Sequence, residues 1–290
     1  MLTRQKMRDA LRANLPFSLW HMAGFASRVP SYWHIDRSKA LGIRNQIGGL
    51  PLYVAGNIHV FPPESLTAYL NWHHHGVEFN ESRTEARAFI ELSRGRSQLI
   101  DVGAQTGFMS ALFARSRSRP SRILSVEPDP QVQPLLKRAR ELNTDDHIDW
   151  EIAPTAVSDF SGRLLMPVSN KLHELTDNVC KSTEIEVPAA TLASLLDGID
   201  WSPDIIKIDV ESFEYEILCS SLPVIETLKP ALQLEVHWQM LARREKDPRN
   251  FLGPLAAIGY RGLQSGYRNL ERWLRAGRNE AVSRFSLSAQ

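Results

Sequence analysis

Short apolar runs that end in acidic residues recur along the central part of the chain. They cover residues 99–102, 123–126, 205–208 and 231–234, and the polar residues that end them are Asp101, Glu127, Asp209, Glu211, Glu235 and His237. Continuous apolar runs bounded by turns predict buried parallel strands. Residues 153–162, APTAVSDFSG, suggest the end of a further strand. Since a doubly wound sheet binds its ligand at the carboxyl ends of its strands, the pattern predicts an α/β fold with one such ligand edge.

The turn GAQTG after the first run indicates the kind of ligand. Gly103 and Gly107 let the backbone turn tightly and lie close to a bound molecule, and residues 110–114 read as the opening of a helix. A pyrophosphate would favour bare N–H groups at this turn and would be repelled by Asp101. A ligand with an ammonium and a sulfonium group would be attracted. The turn therefore favours S-adenosylmethionine over a dinucleotide, with Asp101, Gly103, Ala104 and Gly107 in contact with it.

Glu127 ends the second run, 26 residues after Asp101. That separation accommodates one helix between two parallel strands. An acid at this strand end accepts hydrogen bonds from a ribose diol, which nicotinamide cofactors and S-adenosylmethionine both carry. Asp129 and Pro130 suggest the N-cap and first residue of the next helix, although Pro134 indicates a later start or a kink.

The two ends of the chain complete the expected architecture. Residues 260–264 and 284–288 are candidate final strands, and an antiparallel pair there would complete a seven-stranded sheet. Residues 1–84 contain Trp20, Trp33 and Trp72 and are too aromatic for a disordered tail. We expect them to form a cap that lines the acceptor pocket, with a hairpin at 52–61 that turns at residues 55–57. Residues 85–290 then form the cofactor-binding domain.

Composition narrows the class of protein. The 290 residues, of which 43% are hydrophobic, suit one large domain with an appendage. A net charge of +1 gives no reason to expect a nucleic-acid partner. Cys180 and Cys219 have neither metal-like spacing nor a disulfide framework. With no signal peptide and no apolar run near the ~18 residues that span a bilayer, we expect a cytoplasmic protein without a transmembrane segment. The oligomeric state is not predicted.

Six segments, in order between residues 85 and 237, resemble the FkbM family of S-adenosylmethionine-dependent methyltransferases: IDVGAQTG, VEPDP, AVSDFSG, VPAATLASLLD, IKIDVESFE and LEVH. The resemblance implies a Rossmann-like class I methyltransferase fold. It also implies methylation of a hydroxyl oxygen on a sugar, a glycan or a natural-product small molecule. It adds Val157, Ser158 and Asp209 to the expected cofactor-binding residues. Ser212 departs from the family pattern, which has glycine there, and we expect this serine to serve as a helix N-cap.

A hydroxyl acceptor is a poor nucleophile, so a base beside it accelerates transfer by ~10²–10⁴-fold. His237 follows a strand end, and its ordinary pKa of about 6.5 suits that role. Asp209 and Glu211 would point to one face of a strand, where one could orient the acceptor and the other act as base. Alternatively, Asp209, Glu211, Glu235 and His237 could gather a divalent cation, for which oxygen-rich ligation suits magnesium. The resemblance does not require a metal, so acid–base use of these residues is favoured over a metal site.

Two classes of function other than methyl transfer are consistent with a cofactor-binding α/β fold. A nicotinamide-dependent oxidoreductase is disfavoured by Asp101 and by the lack of a G-x-G-x-x-G motif. A non-catalytic S-adenosylmethionine-binding partner module is disfavoured by the intact IKIDVE and LEVH segments, although Ser212 keeps this alternative open. Lys207, inside the fourth run, is expected to be a structural ion-pair partner.

Overall fold

The computed structural model describes residues 42–47, 50–55, 85–86, 88–116, 120–167, 184–262, 270, 274 and 282–289. The strands are β1 (Gly42–Ile47), β2 (Leu50–Ala55), β3 (Gln98–Val102), β4 (Ser121–Val126), β5 (Ile148–Ala153), β6 (Ala156–Ser158), β7 (Gly162–Pro167), β8 (Glu184–Thr191), β9 (Ile205–Ile208), β10 (Ala231–Val236), β11 (Tyr260–Gly262) and β12 (Ser283–Ala289). The helices are α1 (Phe108–Arg115), α2 (Gln133–Asn143), α3 (Leu192–Asp197), α4 (Glu214–Leu228), α5 (Trp238–Arg243) and α6 (Arg249–Ala257). Residues 85–86 and 88–92 are also helical.

Seven strands form the main sheet in the order β11–β12–β10–β9–β3–β4–β5. Neighbouring strands from β10 to β5 are parallel, whereas β12 runs antiparallel to both β10 and β11. The chain proceeds from β3 to β4 and β5 on one side, and later adds β9 and β10 on the other. The carboxyl ends of β3 and β9 therefore flank the point where the strand order reverses, which is where such sheets bind ligands.

Helices cover both faces of this sheet, because successive strand residues point to opposite sides. Ile100, Ile206 and Leu232 pack on one face in a cluster that includes residues of α4 and α6. Leu99 and Ile123 pack on the other face, in a cluster with residues of α1 and of the helical segment that precedes β3. Burial on both faces explains why these strands are continuous apolar runs in the sequence.

A second, three-stranded sheet corrects one expectation. The strand end predicted within residues 153–162 is found at Ala153, where β5 stops, but the predicted turn contains a further strand. The next strand, β6, pairs with β8, which also pairs with β7. Pro154 lies between β5 and β6, and it has no N–H to continue the ladder of the main sheet. Residues 156–158 therefore belong to a different sheet from β5.

The helix after β4 begins later than the predicted N-cap at Asp129. Helix α2 has Val132 as its N-cap, and Pro134 lies in its first turn, where the missing N–H costs nothing. Asp129 instead accepts a hydrogen bond from the backbone N–H of Gln131 at 2.8 Å, an arrangement typical of a turn.

The ends of the chain bear on two further expectations. The final antiparallel pair is confirmed as β11 and β12. Residues 52–55 of the predicted hairpin lie in β2, which pairs with the segment that precedes it, with Ile47 opposite Leu50. Strand β2 lies beside α1 and α2. The three tryptophans expected in the cap, and residues 56–61 of the predicted hairpin, lie outside the described residues. None of the helices within the described ranges is both long and apolar enough to cross a membrane.

Candidate functional site

Five polar side chains lie side by side across the main sheet, near its ligand edge. Asp101 is in register with Ser125 on β4 and with Lys207 on β9. Gln233 on β10 is in register with Lys207 on one side and with Ser286 on the other. All five are buried, with at most 4% of each residue exposed. Because buried polar groups are costly unless they are paired, the contacts of this polar row show how the edge is held.

Asp101 has its carboxylate directed into the fold. Its Oδ2 accepts a hydrogen bond from Ser110 Oγ at 2.6 Å, and its Oδ1 lies 3.4 Å from Lys207 Nζ. Ser110 in turn contacts Ser125, which accepts a hydrogen bond from Trp150 Nε1 at 2.8 Å. The carboxylate therefore links β3 to the start of α1 and to β9. A direct contact between Asp101 and a cofactor stays a prediction.

Lys207 connects the glycine turn to the end of β9. Its ammonium group donates to the backbone oxygen of Gly103 at 3.0 Å and lies 3.4 Å from Asp209 Oδ2. Burial disfavours the charged form, but the carboxylates of Asp209 and Asp101 outweigh burial and raise the pKa of Lys207 above its ordinary value. Lys207 is thus a buried cation between two acids, which confirms the expected ion-pair role.

The two glycines of the turn are required by close approach. At Gly103, where φ is +74°, an added Cβ would lie 1.8 Å from the carbonyl oxygen of Asp209. At Gly107, where φ is +80°, it would lie 2.7 Å from Leu136 Cδ1. The N–H groups of Gly103 and Ala104 both donate to the carbonyl of Val126. The turn is therefore packed against β4 on one side and β9 on the other.

Glu127 is fixed at the end of β4 beside this turn. Its two carboxylate oxygens accept the backbone N–H groups of Gln105 and Asp129, each at 2.9 Å. Burial raises the pKa of Glu127, and these two hydrogen bonds partly oppose the shift. The side chain is held rigidly in the position where the sequence places a ribose partner.

His237 follows β10 and makes a short contact with the start of α4. Its ring atom Nδ1 lies 2.5 Å from Oε1 of Glu214, a residue with no exposed surface. The same oxygen accepts the backbone N–H of Ser212 at 3.1 Å. The other ring nitrogen, Nε2, lies 3.7 Å from Oε2 of Glu211, whose side chain is 61% exposed. The ring therefore has one buried carboxylate behind it and its second nitrogen towards the edge of the sheet.

The surroundings of His237 favour its charged form. Burial lowers its pKa, but the hydrogen bond and charge of Glu214, with smaller contributions from Asp209 and Glu211, raise it to about 9. The imidazole therefore binds a proton more strongly than a histidine in water does.

Further carboxylates lie beside His237. Glu235 Oε1 lies 2.5 Å from Arg284 Nη2. Arg284 Nε lies 3.4 Å from Oε2 of Glu85, in the helical segment that precedes β3. Burial, Asp209 and Glu85 raise the pKa of Glu235 to about 7, against the opposing effect of Arg284. Among the described residues, Asp209, Glu235 and His237 bring one potential ligand atom each within 4.8 Å of one another. This spacing alone does not assign them as metal ligands.

The turn between β9 and α4 differs from the expectation for Ser212. The N-cap of α4 is Phe213, which forms no side-chain capping bond, so the predicted serine cap is wrong. Glu211 and Ser212 instead have positive φ values of 50° and 85°. Because Ser212 has a left-handed backbone, the N-cap of α4 lies one residue later than predicted, at Phe213.

The sequence matches the methyltransferase FkbM domain over residues 101–268. The chain belongs to the FkbM methyltransferase family. It is therefore a methyltransferase with the class I fold, and the family implies S-adenosylmethionine as its methyl donor. Membership in this family replaces the oxidoreductase alternative.

Solved structures that resemble this methyltransferase are distant from it. The FkbM methyltransferase of Methylobacillus flagellatus KT is 18% identical over 56% of this chain and 37% of its own, with a TM-score of 0.39; the present chain thus spans 37% of that protein. The ribosomal protein L11 methylase of Lactobacillus delbrueckii subsp. bulgaricus is 13% identical over 72% and 78% of the two chains, with a TM-score of 0.39. The O-methyltransferase TomG of Streptomyces achromogenes, solved with S-adenosylmethionine, is 10% identical over 72% and 79%, with a TM-score of 0.38. Curated proteins yield no match.

The FkbM fold brings most of the predicted site residues to one edge. Those at the ends of β3, β4, β9 and β10 are Asp101, Gly103, Ala104, Glu127, Asp209, Glu211, Glu235 and His237. Gly107 lies at the start of α1. Val157 and Ser158 are buried in β6 of the second sheet, opposite Ala190 and Thr191. Their predicted contact with the cofactor remains untested.

Glu214 is the residue that the sequence reasoning missed. It is the last residue of the IKIDVESFE segment and lies in the first turn of α4. The predicted site residues were chosen because they follow strand ends. Glu214 lies in a helix, so the sequence pattern did not indicate its contact with His237. An acid at the start of a helix is usually explained by the helix dipole, so only the packing of α4 against β10 reveals its partner.

Proposed function

We propose that this methyltransferase transfers the methyl group of S-adenosylmethionine to a hydroxyl oxygen of a sugar, a glycan or a natural-product small molecule, with His237 as the base. The observation that carries the proposal is the contact between His237 Nδ1 and the buried Glu214. A carboxylate behind a histidine fixes the ring and stabilises the protonated form that results when Nε2 takes up a proton. Because the pKa of His237 is raised to about 9, the ring must first lose its own proton at Nε2 to act as the base. Amino or thiol acceptors have less need of such a base.

The residues at the edge fit a cationic methyl donor. Carboxylates lie at the ends of three strands, at Glu127, Asp209 and Glu235, and the glycine turn allows a ligand to approach the backbone. When bound, S-adenosylmethionine supplies an activated methyl group, so the protein's main task is to position the acceptor. We assign the amino-acid end to the turn at Gly103, Ala104 and Gly107, and the ribose to Glu127.

These assignments would leave the ends of β9 and β10 to hold the acceptor. There, Asp209 or Glu211 orients the acceptor and leaves the proton of the reacting hydroxyl directed at His237. His237 then takes the hydroxyl proton at Nε2 as the oxygen bonds to the methyl carbon and the carbon–sulfur bond breaks. Glu214 keeps Nδ1 protonated throughout, so that Nε2 is the nitrogen available to the proton.

The test is a methyl-transfer assay against a panel of monosaccharides, oligosaccharides and polyphenols. With the best acceptor, His237→Gln should lower the single-turnover rate by about two to four orders of magnitude and leave S-adenosylmethionine affinity nearly unchanged. The matched control is His147→Gln. His147 is exposed, directly precedes β5 in the chain and lies outside the site. A single-turnover rate of His237→Gln close to that of the wild type would exclude His237 as the base.

The same assay separates the remaining alternatives. If a chelator abolished transfer and magnesium restored it, a metal centred on Asp209 and Glu235 would replace the acid–base mechanism. If the wild-type protein bound S-adenosylmethionine but methylated nothing in the panel, a non-catalytic partner module would be favoured.

We also propose that residues 1–84 form a cap on the domain at 85–290 and help to shape the acceptor pocket. The position of β2 beside α1 and α2 supports it, since α1 begins at the glycine turn. Limited proteolysis is the test. Ready removal of residues 1–84 without loss of acceptor affinity would show a tether instead of a cap.

A further inference from the structure

The turn between β9 and α4 is held in an unfavourable backbone conformation. Glu211 and Ser212 follow one another with φ values of 50° and 85°. Residues with a Cβ rarely adopt this region, and two in succession persist only where the surrounding structure enforces them. The turn joins Asp209 to Glu214, so its shape determines where the acidic groups around His237 lie.

One guanidinium group contacts this turn at two points and the first turn of α4 at a third. Arg244 donates a hydrogen bond from Nη1 to the carbonyl oxygen of Ser212. Its Nη2 lies 2.6 Å from Oε1 of Glu216. Its Cζ lies 4.7 Å from the centre of the Phe213 ring. These are a charge-assisted hydrogen bond, an ion pair and a cation–π contact. Ser212 is 5% exposed, and the side chain of Arg244 is 33% exposed.

Arg244 lies at the end of the segment that follows His237, so its contacts connect that segment to the turn. It is the C-cap residue of α5, the helix that starts directly after His237. The turn that it contacts starts directly after β9 and leads to Glu214. A single side chain therefore ties the segment that carries Glu211 and Glu214 to the segment that carries His237.

We propose that Arg244 is a positioning residue, which holds the left-handed turn at Glu211 and Ser212 and thereby sets Glu211 and Glu214 relative to His237. The consequence for catalysis rests on the proposed function, whereas the effect on the turn does not. Arg244 contacts no group that reacts. Its influence passes through the backbone of Ser212 and the first turn of α4.

The test compares Arg244→Met with Arg243→Met by hydrogen–deuterium exchange of the full chain. Arg243 is the exposed neighbour in the same helix, so its substitution controls for the loss of a charge. We expect amides in residues 210–216 to exchange at least tenfold faster in Arg244→Met and at the wild-type rate in Arg243→Met. Unchanged exchange in Arg244→Met overturns the proposal.

Rescue by a second substitution distinguishes positioning from general stability. Glycine adopts a φ of 85° without strain, so Ser212→Gly added to Arg244→Met should restore most of the protection at 210–216. Ser220→Gly makes the same chemical change within α4, where it should restore nothing. Equal effects of the two glycines, or no effect of either, contradict the proposal.

A kinetic measurement tests the catalytic consequence. With an acceptor that turns over in the panel, Arg244→Met should lower kcat at least tenfold, keep KM for S-adenosylmethionine within threefold, and recover with Ser212→Gly. A kcat within twofold of the wild type overturns the positioning role. If the wild-type protein methylates no acceptor, the proposed function fails, and the exchange measurement alone decides whether Arg244 holds the turn.

Discussion

His237 Nδ1 and Glu214 Oε1 lie 2.5 Å apart, although the two residues are 23 positions apart in the chain. Glu214 is completely buried, so its charge acts on the imidazole with little screening by water. The pair fixes the ring and strengthens its hold on a proton. Both effects lead to measurable consequences for the pH dependence of stability and of rate.

The first prediction concerns stability. The pKa of His237 is about 9 in the folded protein, against about 6.5 in an unfolded chain. Because the folded pKa is the higher one, its contribution to stability is complete below pH 6.5 and is lost as the pH rises through 9. The stability difference between the wild type and His237→Gln should shrink by about 1–3 kcal/mol over this interval. Urea denaturation at several pH values measures it, with His147→Gln expected to show no such trend.

The second prediction concerns rate. If His237 must lose its proton before it accepts one from the substrate, the single-turnover rate should rise with pH and level off near 9. Glu214→Gln removes the charge that raises this pKa, so the rising part of the profile should move to lower pH. A pH profile that is flat between 6 and 9 in the wild-type protein would argue against His237 as the base.

The third prediction tests the close approach of β3 and β9. Gly103→Ala forces a Cβ against the Asp209 carbonyl and also strains φ, which together should cost about 2–5 kcal/mol of stability. Gly95→Ala is a close control, because Gly95 has a similar φ of +76° but nothing within 4 Å of an added Cβ. It should cost only about 1–2 kcal/mol. Similar losses for the two variants in thermal or urea unfolding would mean that the contact with Asp209 is unimportant.

The fourth prediction concerns the buried cation. Lys207→Met leaves the carboxylates of Asp101 and Asp209 without their shared partner. Loss of one member of a buried charged group typically costs about 3–5 kcal/mol. Lys137→Met, at an exposed position on α2, should change stability by less than about 0.5 kcal/mol. Chemical denaturation of both variants gives the comparison.

The fifth prediction concerns the ribose site. Glu127→Ala should weaken S-adenosylmethionine binding about ten- to a hundredfold, since charge-assisted hydrogen bonds contribute about 1.5–3 kcal/mol. Glu151→Ala removes a similar side chain from an exposed position on β5 and should leave the affinity unchanged. Calorimetry that finds equal affinity in the wild type and Glu127→Ala would exclude the assignment.

Local signals in the sequence account for the predictions that the structure confirms. The strands with both faces buried were recognisable as apolar runs because packing on each side leaves no polar alternation. Pairing within the second sheet was not recognisable, because Ala156–Ser158 continues in sequence from β5 but hydrogen-bonds to β8. The start of α4 was misjudged by one residue for a related reason. Serine is a common N-cap, but the backbone of Ser212 is left-handed and its carbonyl oxygen accepts a hydrogen bond from the distant Arg244.

The sequence by itself determined the α/β class, the glycine turn, the acids at the strand ends and the membership of the FkbM family. These features follow from hydrophobic pattern and backbone freedom, which neighbouring residues set. Only the tertiary structure decided that Asp101 is buried against Lys207, and that Glu214 lies behind His237. Those contacts depend on strand register and on how α4 packs against β10. They join residues that are far apart in the chain, and no local pattern specifies which of many acids will meet a given histidine.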